Sequence, residues 1–294
     1  MIKKFLVLSL FVVIFLFASV SQTLGCHYLV VGNYFDDSSN SAHCFVYNPT
    51  NNQFTNHDFP GASTSKFWAI NDTGYIVGEY VLNGTHGRLY NYYTGVTVTI
   101  DYPNSTTTRC YGINNDLVIV GIYFDTNGDR HSFSYDYNAA TFTTIDHPQY
   151  TNIACIGINS HGDIVGGLTD LDGQRRAFKY DGADFYIVEP PNAIKSNAHD
   201  INSNGEIAGW YYDINCFRYG FYYNGSEFTT FKLGPSTGNN DDGVIIGKSF
   251  DNSKKEIGYL IDGNNTICID HPDAVFKNPY GGTRPTDISN KVYY

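Results

Sequence analysis

Along most of the chain, apolar and polar positions alternate with a period of two. His131, Phe133 and Tyr135 show the alternation plainly, and short Val- and Ile-rich runs such as Val118–Ile122 break it. Segments of this kind, bounded by Gly, Asn, Asp and Pro, predict short β-strands. Outside the extreme N-terminus no segment carries a 3.6-residue apolar period. The pattern repeats. Tyr111–Pro148 reads G-I-N, then I-V-G, then an aromatic-alternating stretch, then F-T-T-I-D before a proline. Related copies start at Trp68, Ile156 and His199, and the I-V-G glycine recurs at Gly32, Gly78, Gly121, Gly166, Gly209 and Gly247. The intervals are 46, 43, 45, 43 and 38 residues. Four short strands in a unit of this length predict the blade of a β-propeller, and six glycines predict six blades.

The ends of the repeat predict how the ring closes. The first glycine, Gly32, belongs to a unit that lacks its first strand, and Thr286–Asn290 aligns with His199–Ser203, a first strand without a unit. The C-terminal strand is therefore expected beside Leu29–Tyr34, completing the N-terminal blade so that neither end leaves an open sheet edge. The sixth unit is the most degenerate, with Gly238-Asn239-Asn240 in place of G-I-N.

The repeat resembles the HAF family of extracellular repeat proteins, through G-I-N-x-x-G-x-I-V-G, an H-x-F-x-Y stretch and F-T-x-I-D-x-P. Glu189-Pro190 and Lys232-Leu233 depart from the D-x-P pattern. The resemblance covers nearly all of residues 26–294 and implies secreted, propeller-like repeats; it implies no catalytic residues.

Ahead of the repeats, Lys3 and Lys4 precede an apolar run from Phe5 to Ala18 and a small, polar Ser19–Gly25. This is the layout of a signal peptide over residues 1–25, leaving residues 26–294 as one secreted domain with no membrane span. Thr23–Cys26 also resembles a lipoprotein box, with Thr where Leu is usual. Losing Lys3 and Lys4, and no acid, takes the formal charge from −11 to −13. So acidic a chain is not expected to bind nucleic acid or an anionic membrane.

Six cysteines in a secreted chain suggest disulfides, and six allow fifteen pairings. Cys110 and Cys155 share one register in adjacent units, so a bridge between them is expected. Of five sequons, Asn83 and Asn224 fall in predicted surface turns and are the expected glycosylation sites, whereas Asn71 belongs to the repeat and reads as turn chemistry. His43, His86 and His131 share a register with Arg176, which points to a bond with the neighbouring strand rather than to a metal. The turns Asp36–Asp37, Asp125–Asp129 and Asp170–Gly173 have oxygen ligands of the kind calcium takes, but hairpins need the same residues for backbone reasons. No cofactor is expected beyond that. The chain lacks C-x-x-C, G-x-S-x-G, H-E-x-x-H and a P-loop.

Within the regular first strand, one position varies from unit to unit: Trp68, Tyr111, Ile156, His199, Thr237 and Thr286. Two residues earlier stand Lys66, Arg109, Ala154, Asn197, Pro235 and Arg284. The residue just before the Ile is small or acidic, which suits strands crowded round an axis. Lys66, Arg109 and Arg284 are expected to point cations at one mouth of the channel beside Trp68, Tyr111 and His199, either to hold an anion or to pair with Asp200 and Asp287. The resulting expectation is a monomeric binding protein for an anionic small ligand, an acidic glycan or an extracellular protein. A propeller hydrolase or lyase and a purely structural matrix component are the alternatives. A strongly perturbed carboxylate or His in a deep central pocket would favour the enzyme.

Overall fold

The structure, a computed structural model, describes residues 28–35, 41–251, 254–275 and 282–290. The proposed signal peptide, Cys26 and Asp36–Asp37 lie outside these residues. Among the described residues strands alone make up the regular structure, and no helix is long and apolar enough to cross a membrane. Antiparallel four-stranded meanders follow one another along the chain as a β-propeller.

Four of the sheets stand alone with four strands each. An eight-stranded sheet takes in the second and third units, Thr64–Ile100 and Thr107–Ile145. The sheets therefore differ from the expected six blades of four strands each: four such blades stand apart. The cause is local: Thr85, opening the third strand of one meander, forms a parallel bridge to Thr107, opening the first strand of the next.

The chain ends meet as the repeat implies. Thr283–Ile288 pairs antiparallel with Val30–Phe35, matching Val30 to Ile288 and Tyr34 to Thr283. The Ser289 hydroxyl accepts a hydrogen bond from Leu29 N at 3.1 Å, and Thr286 Oγ1 donates to Val31 and Phe67 carbonyls. The sheets pack through apolar clusters that each span two successive units. One joins Leu29, Val31 and Cys44 to Phe67, Ile70 and Tyr90; another joins Val77, Leu89 and Ile100 to Cys110, Ile119 and Phe133. Burying such side chains stabilises by roughly 1.5–3 kcal/mol each.

This packing overturns the expected disulfide. Cys110 lies in the cluster between the second and third units, Cys155 in the next cluster with Val120 and Phe178, and both thiols are free. A residue in this register faces the sheet before its own, so equal registers in neighbouring units are separated by a whole sheet. Burial pushes the Cys155 thiol up to about 12 and raises Cys110 further, so both stay protonated.

Candidate functional site

The first strands of the units line a central channel, and each of them carries a register shift at the same place. The shift lies between Phe67 and Ala69, between Cys110 and Gly112, between Cys155 and Gly157, between Ala198 and Asp200, and between Ser236 and Gly238. In the closing strand, Thr286 is passed over between Pro285 and Asp287. The residues left without a partner are therefore Trp68, Tyr111, Ile156, His199, Thr237 and Thr286, the variable register of the sequence. A β-bulge of this kind re-aims one side chain. All six line a single cavity of about 340 Å³. The I-V-G glycine makes the bulge possible. A Cβ on Gly78, Gly121 or Gly166 would run into the carbonyl of Lys66, Arg109 or Ala154 on the bulged strand.

Lys66, Trp68, Tyr111, His199 and Arg284 are thus brought together round the cavity, while Arg109 is not among its lining residues. Among the described residues the cations do not pair with Asp200 or Asp287, one of the two alternatives expected from the sequence. Lys66 Nζ lies 2.8 Å from Glu79 Oε1 and Arg109 Nε 3.0 Å from Glu79 Oε2. Lys248 and Arg284 hold Glu256 in the same manner. Both glutamates are nearly inaccessible, with side chains 3 % and 5 % exposed. Each is a buried carboxylate clamped by two cations from neighbouring first or second strands.

Three further arginines, missed by sequence reasoning, open the third strands of successive units: Arg130, Arg175 and Arg218. Their common register was the available signal. None of them has a carboxylate partner among the described residues. Arg130 Nη2 and Arg175 Nη1 donate to one oxygen, the carbonyl of Asn152, and Arg175 also forks onto Asn197 Oδ1 at 2.8 and 3.2 Å. Burial lowers Arg130, and burial with Arg130 repulsion lowers Arg175 to about 10. Arg218 lies 4.4 Å over the Trp210 ring. Among the described residues, Lys66, Arg109, Arg130, Arg175, Arg218, Lys248 and Arg284 have two carboxylates, Glu79 and Glu256, as their ion-pair partners, on a chain of net charge −11.

Burial, with Arg218, Lys248 and Arg175 nearby, drives His199 down to about 3, so it is neutral. Its Nε2 accepts from Trp210 Nε1 at 3.1 Å, leaving the proton on Nδ1. Trp68 and Tyr111 meet edge to face at 5.5 Å, and the buried Trp68 Nε1 has no partner among the described residues.

Deeper in the channel, Asp200 and Asp287 flank Gly238, where a Cβ would meet Asp287 Oδ1 at 2.9 Å. Burial raises Asp200, and burial with the Asp200 charge raises Asp287 well above the carboxylate range. A charge on one of the two therefore disfavours a charge on the other. Their four oxygens already accept backbone N–H groups of Asn239, Ile201, Ile70 and Ile288 at 2.8–2.9 Å.

The far end of the channel is a polar recess of about 60 Å³ ringed by the repeat asparagines. Asn71, Asn114, Asn159, Asn202 and Asn240 each donate from Nδ2 to the carbonyl one unit on, at 3.0–3.3 Å. Each Oδ1 accepts the N–H groups two and four residues ahead, as Asn114 does from Asp116 and Val118. Asn71 is consequently buried. Asn83 and Asn224 are exposed.

His43, His86 and His131 approach Asp58, Asp101 and Asp146 at the ends of the outer strands, and Arg176 approaches Glu189. Asp125 and Asp170 accept N–H groups of their own turns. No group of three metal-ligating side chains occurs among the described residues.

No family model matches the sequence, and no curated protein matches it. Solved structures do resemble the fold. TolB from Acinetobacter baumannii is 9 % identical at a TM-score of 0.65, over 91 % of this chain and 67 % of that one. A chain of a nidogen/laminin complex is 10 % identical at 0.56, over 90 % of this chain and 98 % of its own. Hydrazine synthase from Kuenenia stuttgartiensis is 9 % identical at 0.53, over 92 % and 48 %. At these identities the likeness is one of fold, and that fold is the β-propeller.

Proposed function

We propose that this is a secreted, six-bladed propeller of the HAF repeat type that binds an anionic small ligand or acidic glycan at the cationic mouth of its channel. The eight-stranded sheet counts as two blades in this reading. Each half has its own bulged first strand and its own belt asparagine, Asn71 and Asn114. Residues 1–25 act as the signal peptide, and Asn83 and Asn224 are available for glycans.

One observation carries the functional reading. Six bulges aim side chains of five kinds into one cavity beside a cluster of cations. A fold that needed these bulges only for closure would have no reason to vary the bulged residue. The volume is at the lower end of the roughly 300–1,000 Å³ typical of small-molecule sites. Trp68 and Tyr111 add aromatic walls suited to a sugar face.

The Asp200–Asp287 pair favours a second reading, a hydrolase or lyase using a carboxyl dyad. The backbone bonds on all four oxygens support a structural role instead. An array of acidic and neutral glycans and metabolites, probed with the purified protein, tests the first reading. The expected hits are anionic, and Trp68→Ala with Arg218→Gln weakens them at least tenfold. Neutral hits, or anionic hits unaffected by these substitutions, would move the function away from this mouth. Turnover of a hit that Asp287→Asn abolishes would establish the enzyme.

A further inference from the structure

Around the mouth, the same electrostatic device is built twice from the chain's own side chains. Lys66 and Arg109 close on Glu79; Lys248 and Arg284 close on Glu256. Between these two clamps stand Arg130 and Arg175, in adjacent units, with both guanidinium groups on the single carbonyl oxygen of Asn152. Two cations on one neutral acceptor repel each other, and half-burial withholds the water that would screen them. The register that supplies Glu79 to the first clamp holds Ile122 and Gly167 here. A Cβ on Gly167 would collide with Arg175 and Asn197, so the glycine is what admits the arginine. Arg130 Nε is buried with no partner among the described residues.

Neither arginine is among the residues that line the cavity; both connect to strands that do. Asn197, which holds Arg175, is two residues before His199 on its strand, and Asn152, which both arginines hold, is four before the cavity-lining Ile156 on its own. His199 and Tyr111 both line the cavity, as does Trp68 with its unpartnered indole N–H. The chemistry is that of an acid joined to a polar, ring-like body: a planar anion for two guanidiniums, and an acceptor oxygen for Trp68.

Resting on the reading of this mouth as an anion site, we propose that Arg130 and Arg175 form a third clamp that takes the carboxylate of the ligand, and that the ligand class is a uronic acid or a glycan bearing one. Calorimetry on the full mature chain with sodium D-glucuronate, D-glucose, sodium acetate and sodium phosphate, at matched ionic strength, tests this. Glucuronate binds wild type, acetate competes weakly and glucose does not bind. Arg130→Gln and Arg175→Gln each weaken glucuronate at least tenfold, and Arg175→Lys, which keeps charge without the fork, weakens it less. In wild type alone, glucuronate shifts the Nε–H resonances of Arg130 and Arg175, a readout that needs no variant to fold. Glucuronate binding that survives both Gln variants but is lost in Arg218→Gln overturns the clamp and leaves the anion mouth standing. Phosphate binding tighter than glucuronate overturns the carboxylate assignment. Acetate binding as tightly as glucuronate overturns the sugar. No response of wild type to any of the three anions overturns clamp and mouth together.

Discussion

At one end of the channel five units contribute an asparagine in one and the same role; at the other, the six bulged side chains turned into the cavity are of five kinds. The asparagine belt is buried, and every Nδ2 and Oδ1 has its partner within the protein. Among the described residues, the mouth has the Trp68 and Arg130 Nε–H groups without partners, and more cations than acids paired with them. Both ends are built on the same strands, a few residues apart. A position that closes the ring is under the same constraint in every unit and repeats. A position aimed into the cavity meets no such constraint, because the bulge has already satisfied the backbone.

The belt and the seam are where the largest effects are expected. Deleting residues 283–294 removes the strand paired with Val30–Phe35 and bares a sheet edge, and should abolish a cooperative thermal transition. A truncated chain that melts like the intact one would break the link between closure and stability. Asn114→Ala should cost about 3 kcal/mol by denaturant unfolding, since it strands the Asn159 carbonyl and the Asp116 and Val118 N–H groups. The same substitution at Asn159 or Asn202 should cost a similar amount, because the role is the same.

At the mouth the effects are smaller and depend on the residue. Glu79→Gln leaves Lys66 and Arg109 facing a neutral group and should cost about 2 kcal/mol, less than a fully buried pair because both cations are partly exposed. For the same reason Arg109 is a poor probe of binding, since its loss also unbalances Glu79.

The smallest effects at neutral pH, and the sharpest separation of the two ends, come from pH. His199 is neutral in the fold down to about pH 3, whereas the unfolded residue protonates near 6.5. Its contribution is present above about pH 6.5 and is lost as pH falls, by at most about 1.4 kcal/mol per unit. His199→Gln should flatten that acid limb and change stability at pH 7.5 by less than about 1 kcal/mol. Asp287 has the opposite sign. Its folded carboxyl stays protonated above the unfolded value near 3.9, so its contribution is complete below about pH 4 and declines as pH rises through the raised folded pKa. Asp287→Asn should remove the decline, read as a slope in melting temperature against pH, while belt substitutions should leave both slopes untouched.

Period-two alternation, the I-V-G glycine and the stray Thr286–Asn290 strand were enough to determine an all-β repeat and its closure, because strand periodicity and sheet-edge pairing are local or one-dimensional properties. The variable register of Trp68, Tyr111 and His199 was also visible as variation within regularity. What the residues did there was decided only in three dimensions. The bulge that aims them depends on a carbonyl passing over a glycine of another strand. Cys110 and Cys155 share a register yet face different clusters, since each strand packs against the sheet before it. Lys66 and Arg109 are joined through Glu79, and Arg130 is set beside Arg175 on Asn152, by contacts between strands and between units. Charge pairing follows distance in space, and distance along a repeat does not encode it.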